Sequence, residues 1–231
     1  KAKSKQAKLT AAKVLLSTLF YKYRFLPFDV TQGVKGFKIS SGHQKDGVND
    51  DELEKLRDLI NSIECEKKRS LFASIFYLLA NQGFRHFEMC NLTYEDINFA
   101  DNTALVQGKG RDDKELIDLH PSTVKALIEY TDIFVIRSGY LFTSLRGTTK
   151  GQRLNERGFR KIFDTLFESI FAERTAHGLR HYFVTKLLEA TGGDIGTVMM
   201  FSRHKTVAPV QAYDDRKKKK ELLPMFCNAF Q

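Results

Sequence analysis

In the first 24 residues, apolar side chains recur at helical spacing, at Leu9, Ala12, Leu16, Leu19, Phe20 and Tyr23, among seven Lys/Arg and no acid. The pattern predicts an amphipathic helix with a strongly positive face, whose apolar stripe fits it to close a preceding helical domain. From Phe25 to Gly47 the period stops, and Pro27, Gly33, Gly36, Gly42 and Gly47 interrupt any regular element, which predicts a linker. A domain begins at Val48. Asn49 followed by Glu52 makes a capping-box pattern at the head of a helix that turns Leu53, Leu56 and Ile60 inward. RSLFASIFYLLANQ, apolar nearly all round, predicts a helix through the core that stops at Gly83. A short helix, HFEMCNL, follows, which puts Arg85 at a junction between helices, with Glu88 one turn on and able to orient the guanidinium.

The period then changes to that of strands. Runs near Asp96 to Phe99, Thr103 to Gln107 and Glu115 to Leu119 predict a small antiparallel sheet, with GKGRDDK as the turn that projects Lys109 and Lys114. Pro121 opens a helix at a favoured position, and LNERGFRKIFDTLFESI predicts another, with Phe159, Ile162, Phe163 and Phe167 inward. In the last third, HGLRHYFVTKLLEA and DIGTVMMFS are helical, GGD breaks between them, and TVAPVQAYDD makes a final short helix. The fold class is mainly α with a small antiparallel β-sheet.

Composition adds class. At 231 residues and 42% hydrophobic, the chain can bury one full domain with a smaller fragment attached. It opens at Lys1 without a methionine, which predicts a piece of a longer protein. No apolar run approaches the roughly 20 residues of a membrane span, and KAKSKQAK leads into an amphipathic helix instead of a signal sequence, so no membrane partner is expected. Cys65, Cys90 and Cys227 are widely spaced and odd in number, which fits packing residues in a reducing compartment. The surplus of 37 Lys+Arg over 28 Asp+Glu, a net +9, favours nucleic acid over membrane as a polyanionic partner.

The candidate chemistry lies in Arg85, Lys109, His177, Arg180, His204 and Tyr213. His177 and Arg180, three apart on a helix, share a face and can present a base beside an anion clamp. His181 gives an HxxxH spacing with His177, but the following Glu and a third ligand are missing nearby, so metal and cofactor are both read as none. The arginine after a buried helix and Gly, the lysine 24 residues later in a hairpin turn, HxxR, and His204 nine residues before Tyr213 together resemble the tyrosine recombinase (phage integrase) family, from about Val48 to Tyr213. GFRHFEMCNLTYEDI resembles the family's first arginine box, VQGKGRDDKELIDL its lysine hairpin, HGLRHYFVTKLLEATGGDI its HxxR box and FSRHKTVAPVQAYDD its last box. Where the family usually has Leu-Gly before the last-box histidine, this chain has Ser202 and Arg203.

The resemblance implies a catalytic set of Arg85, Lys109, His177, Arg180, His204 and Tyr213, supported by Glu88. Metal-free cleavage of a phosphodiester needs fixed positive charge on the non-bridging oxygens, which Arg85 and Arg180 would supply. Tyr213 is the expected nucleophile, His177 its base, His204 a hydrogen-bond donor to the phosphate and Lys109 the acid for the leaving oxygen. Lys109, Arg111, Lys114, Arg203 and Lys205 are expected to contact DNA. The implied protein is a cytoplasmic, nucleoid-associated recombinase, a homotetramer on duplex DNA with accessory DNA-bending proteins as further partners. It would work through a 3′-phosphotyrosine and a four-way junction. A type IB topoisomerase and a catalytically silent DNA-binding protein of the same fold are the alternatives. Residues 1–24 then read as the last helix of a DNA-clamping domain, 25–47 as linker, 48–213 as catalytic domain and 214–231 as a tail, with exchange between subunits and DNA contact by its lysines as the alternatives.

Overall fold

The structure is a computed structural model that describes residues 2–37, 47–108, 110, 113–145, 147–167, 176–211 and 213. The chain divides into two compact units, residues 1–44 and 45–231. In the first, α1 (Ala2–Tyr21) is a single long helix. The segment after it folds back along it: Phe37 N–H donates to Gln6 Oε1 at 2.6 Å, Ser17 and Thr31 share a hydroxyl hydrogen bond at 3.0 Å, and Lys13 Nζ donates to the Val34 carbonyl.

The second unit opens on α2 (Asp50–Asn61). Its capping box is formed in both directions, Asn49 Oδ1 accepting from Glu52 N and Glu52 Oε2 accepting from Asn49 N, which satisfies amides that a helix start leaves without partners. Asp50 then accepts from Tyr182 Oη at 2.8 Å and Lys186 Nζ at 2.7 Å, tying this end to α7 (Ala176–Ala190). The all-round apolar helix is α3 (Glu66–Ala80), the hub of the unit, packed on α2, α5 (Pro121–Ile133) and α7. Ser74 is fully buried there because its hydroxyl lies in hydrogen-bond reach of both the Ser70 and Ala126 carbonyls. Leu78, Leu127, Tyr130, Phe142 and Phe159 build the main core, and the Tyr130 hydroxyl donates to the Leu141 carbonyl.

Beyond α4 (His86–Asn91), three antiparallel strands stand in the order β1 (Ile97–Asn98), β2 (Thr103–Gln107), β3 (Lys114–Asp118), with Val106 opposite Glu115. Alternation buries Ala104 and Val106 and leaves Leu105 outward. Lys114 opens β3 instead of standing in the turn, and its Nζ holds Asp96 Oδ1 at 2.5 Å. Then come α6 (Glu156–Phe167), α7 and α8 (Ile195–Ser202), and helical turns over 207–211. Phe183, Val184, Leu188, Val198 and Val210 form a second, smaller core, on which Tyr213 packs. No described helix is long and apolar enough to cross a membrane. The expectations for Lys109, Arg111, Cys227 and the tail from 214 fall outside the described residues.

Candidate active site

Arg85 stands where α3 has ended and α4 begins. As N-cap of α4 it donates its backbone N–H to Glu88 Oε2 at 2.8 Å, and its Nη1 donates to Glu88 Oε1 at 2.7 Å. The first turn of a helix returns a residue three positions on to the cap, so one carboxylate holds both the amide and the guanidinium. Nη2 of Arg85 donates to the Arg203 carbonyl at 3.2 Å, which fixes the fork at both edges. Its side chain remains 32% exposed, so the outer face is open to a ligand.

Arg180 comes from the inner face of α7 and is 4% exposed. Its Nη1 donates to the Gly83 carbonyl and its Nη2 to the Ser202 carbonyl at 2.6 Å, with His204 Nε2 at 3.4 Å from the same nitrogen. One guanidinium thus joins the ends of α3 and α8 to α7. Burial, then the Arg85 charge, lowers its pKa to about 9, and it stays cationic at neutral pH.

His204 is aimed at Arg180 by the way α8 stops. Arg203 closes that helix in the left-handed region, φ 56° and ψ 38°, where the chain reverses. Arg203 points inward. Its Nη2 pairs with Glu88 Oε2 at 3.0 Å and reaches the Gln82 and Gly83 carbonyls, its guanidinium lies 5.0 Å above the Phe84 ring, and its side chain is 6% exposed. Burial disfavours an ionised Glu88, but the Arg203 charge, the Arg85 N–H and the Arg85 charge together hold it below the usual carboxylate range. His204 is pushed down to about 4 by burial first and then by Arg180, Arg85 and Arg203, so its ring is neutral at pH 7.

Arg85, His86, Glu156, His177 and Arg180 line a cleft of about 200 Å³. Arg85 also lines a groove of about 470 Å³ with Gly108, Glu115, His204 and Lys205. His177 stands at the rim of the first. Protein around its ring, then Arg180 and Arg85, lowers its pKa, which favours a neutral imidazole able to take a proton. Tyr213 approaches from the second core: its ring meets the buried His181 edge to face at 4.5 Å, and His181 meets His177 in the same way at 4.7 Å. The structure therefore pairs Arg85 with Glu88 and Arg180 with His204, and Arg203 joins the two pairs by binding Glu88 and sharing the Gly83 carbonyl with Arg180. His177 shares their cleft, and Tyr213 is linked to His177 through His181. Lys205 is exposed at the groove, whereas Lys114 is held by Asp96.

Two participants escaped the sequence reading. Ser202 binds His204 Nδ1 at 2.6 Å, a contact that a serine two residues before a histidine could have suggested. His181, weighed only as a metal ligand, packs against the candidate nucleophile. Among the described residues no group of three or more His, Cys, Asp or Glu is arranged to hold a metal ion.

A model of the phage integrase family matches residues 48–220. The chain is 28% identical over 190 residues to a tyrosine recombinase of Synechocystis sp., covering 80% of this chain and 60% of that protein. It is 30% identical over 221 residues to the tyrosine recombinase XerC of Halalkalibacterium halodurans, covering 86% and 68%. In fold it is similar to the XerH site-specific recombinase in a post-cleavage complex with a palindromic difH substrate, at a TM-score of 0.66 and 22% identity over 84% of this chain and 56% of that one. The chain spans between 46% and 60% of the length of three curated tyrosine recombinases that it matches.

Proposed function

Since the chain belongs to the phage integrase family, we propose that it is the catalytic part of a site-specific recombinase that breaks and rejoins strands of duplex DNA. The observation that carries this reading is the convergence of Arg85 and Arg180 with His204 on one partly open site, each guanidinium anchored from behind by Glu88 or by backbone carbonyls. Such fixed donors favour the charge that develops on phosphate oxygens in the transition state, and they need no reorganisation as it forms.

In the proposed reaction the Tyr213 hydroxyl attacks the scissile phosphorus. The Tyr Oη–P bond forms as the P–O5′ bond breaks, leaving a 3′-phosphotyrosine and a free 5′ hydroxyl. His177 takes the phenolic proton, and Lys109 supplies the proton to the leaving oxygen. His204 meets the phosphate. Reversal with a different 5′ hydroxyl joins the exchanged strand, and the phosphotyrosine keeps the bond energy, so no nucleotide triphosphate is needed. Four subunits would assemble on two sites and pass through a four-way junction. The net +9 charge supports duplex DNA as the partner.

A nicked duplex bearing the recombination site tests the reading. Wild type is expected to form a covalent, protease-sensitive DNA adduct and Tyr213→Phe to form none. No adduct with wild type, or an adduct that survives Tyr213→Phe, overturns it.

A further inference from the structure

Ser202 is completely buried at the last turn of α8. Its Oγ lies 2.5 Å from the Val198 carbonyl oxygen and 2.6 Å from His204 Nδ1. A hydroxyl has one proton, and a carbonyl cannot donate. The proton must lie between the two oxygens, since otherwise they would face each other bare at that distance. The second contact is then a hydrogen bond from His204 Nδ1–H to Ser202 Oγ. The opposite edge of the ring agrees independently. His204 Nε2 is 3.4 Å from Arg180 Nη2, which can only donate, so Nε2 carries the lone pair. Serine and arginine together select one neutral tautomer, with Nδ1 protonated and Nε2 bare.

We propose that Ser202 is a positioning residue that holds His204 as this tautomer, so that His204 must take up a proton before its Nε2 can donate to a phosphate. The proposal rests on the reading of His204 as a phosphate ligand. A bare Nε2 facing a phosphate oxygen is repulsive. As the anion arrives, the ring binds a proton from solvent. Nδ1–H stays on Ser202 throughout, and the imidazolium's second proton goes onto Nε2. The charged groups around the ring are Arg180 on α7, Arg85 and Glu88 at the start of α4, and Arg203 beside it, with Glu115 of β3 and Lys205 lining the same groove. Burial and the surrounding arginines keep the ring neutral. A bound dianion reverses the sign of its nearest neighbour and draws the proton in.

Histidine ¹⁵N resonances of the DNA-free protein test the tautomer, and sulfate, whose charge is constant over the range used, tests the proton uptake. In wild type, Nδ1 is expected to be protonated and Nε2 bare at neutral pH. The sulfate Kd is expected to weaken by about tenfold per pH unit wherever one proton enters on binding. Ser202→Ala is expected to move the neutral proton to Nε2 and flatten that slope, and Ser202→Thr to restore both. A wild-type ring protonated at Nε2 overturns the proposal, as does a Ser202→Ala protein with an unchanged tautomer. Should Ser202→Ala fail to fold, the wild-type spectrum decides alone. A protein with the expected tautomer and slope that forms no DNA adduct keeps this inference and loses the recombinase reading.

Discussion

Glu88 bears more of the site than any residue that would touch DNA. It is 1% exposed, with Arg85 on one oxygen and Arg203 on the other. Removing one partner of a buried charged group leaves the other uncompensated, at about 3–5 kcal/mol. Glu88→Gln is therefore expected to lose about 3 kcal/mol in urea denaturation at pH 7, mostly through Arg203, because Arg85 can still reach water. The pH dependence has a definite sign. With its folded pKa below the ordinary 4.5, Glu88 contributes stability that is complete above that value and disappears as pH falls through the lower, folded one. The Gln variant should lack this acid-side slope, and equal slopes in the two proteins would show that Glu88 is not ionised in the fold. Arg203 completes the account. A left-handed arginine costs about 1–2 kcal/mol relative to glycine, and its guanidinium offsets this by closing on Glu88, Gln82 and Gly83.

At the scale of elements, the join between α3 and α7 is set by Gly83. Its φ is +56°, and an added Cβ would lie 2.3 Å from Phe183 Cδ1 on α7. Its carbonyl also receives both Arg180 and Arg203. Gly83→Ala combines a left-handed penalty with overpacking of about 1–3 kcal/mol, and it pushes on the helix that delivers Arg180. The expected result is a loss of about 3 kcal/mol by denaturation together with a lower adduct yield, partly relieved by Phe183→Leu. Full stability in Gly83→Ala would mean that α3 and α7 can part freely here. Elements of this kind were legible where the signal is local. The Asn49–Glu52 box, Pro121 at the head of α5, the inward Phe159 and Phe163 of α6, and the alternation of β2 are all properties of neighbouring residues. So was the pairing of Arg85 with Glu88, one turn apart. The direction of the Arg203 side chain was not legible, because it depends on a left-handed backbone angle and on Glu88, 115 residues away. The serine beneath His204 was visible as a departure from the family pattern, but its effect needs the Val198 carbonyl one helical turn back.

The whole molecule carries its positive surplus into the site itself. Three guanidinium groups, Arg85, Arg180 and Arg203, surround one carboxylate, Glu88, and the nearby His204 is neutral. Folding without a ligand therefore gathers like charges that the unfolded chain keeps apart. The same arrangement that would grip a phosphate makes an anion a folding ligand. A ligand that binds only the folded state stabilises it by about 2.7 kcal/mol at a hundred times its Kd. Sulfate should therefore raise the melting temperature of wild type well beyond the effect of chloride at equal ionic strength, and Arg180→Ala should lose most of that difference. Equal shifts for the two salts would mean that the charges are already balanced. If the site grips DNA as proposed, occupancy of DNA and survival against proteolysis would rise together, and copies that leave the duplex would be the first to be cleared.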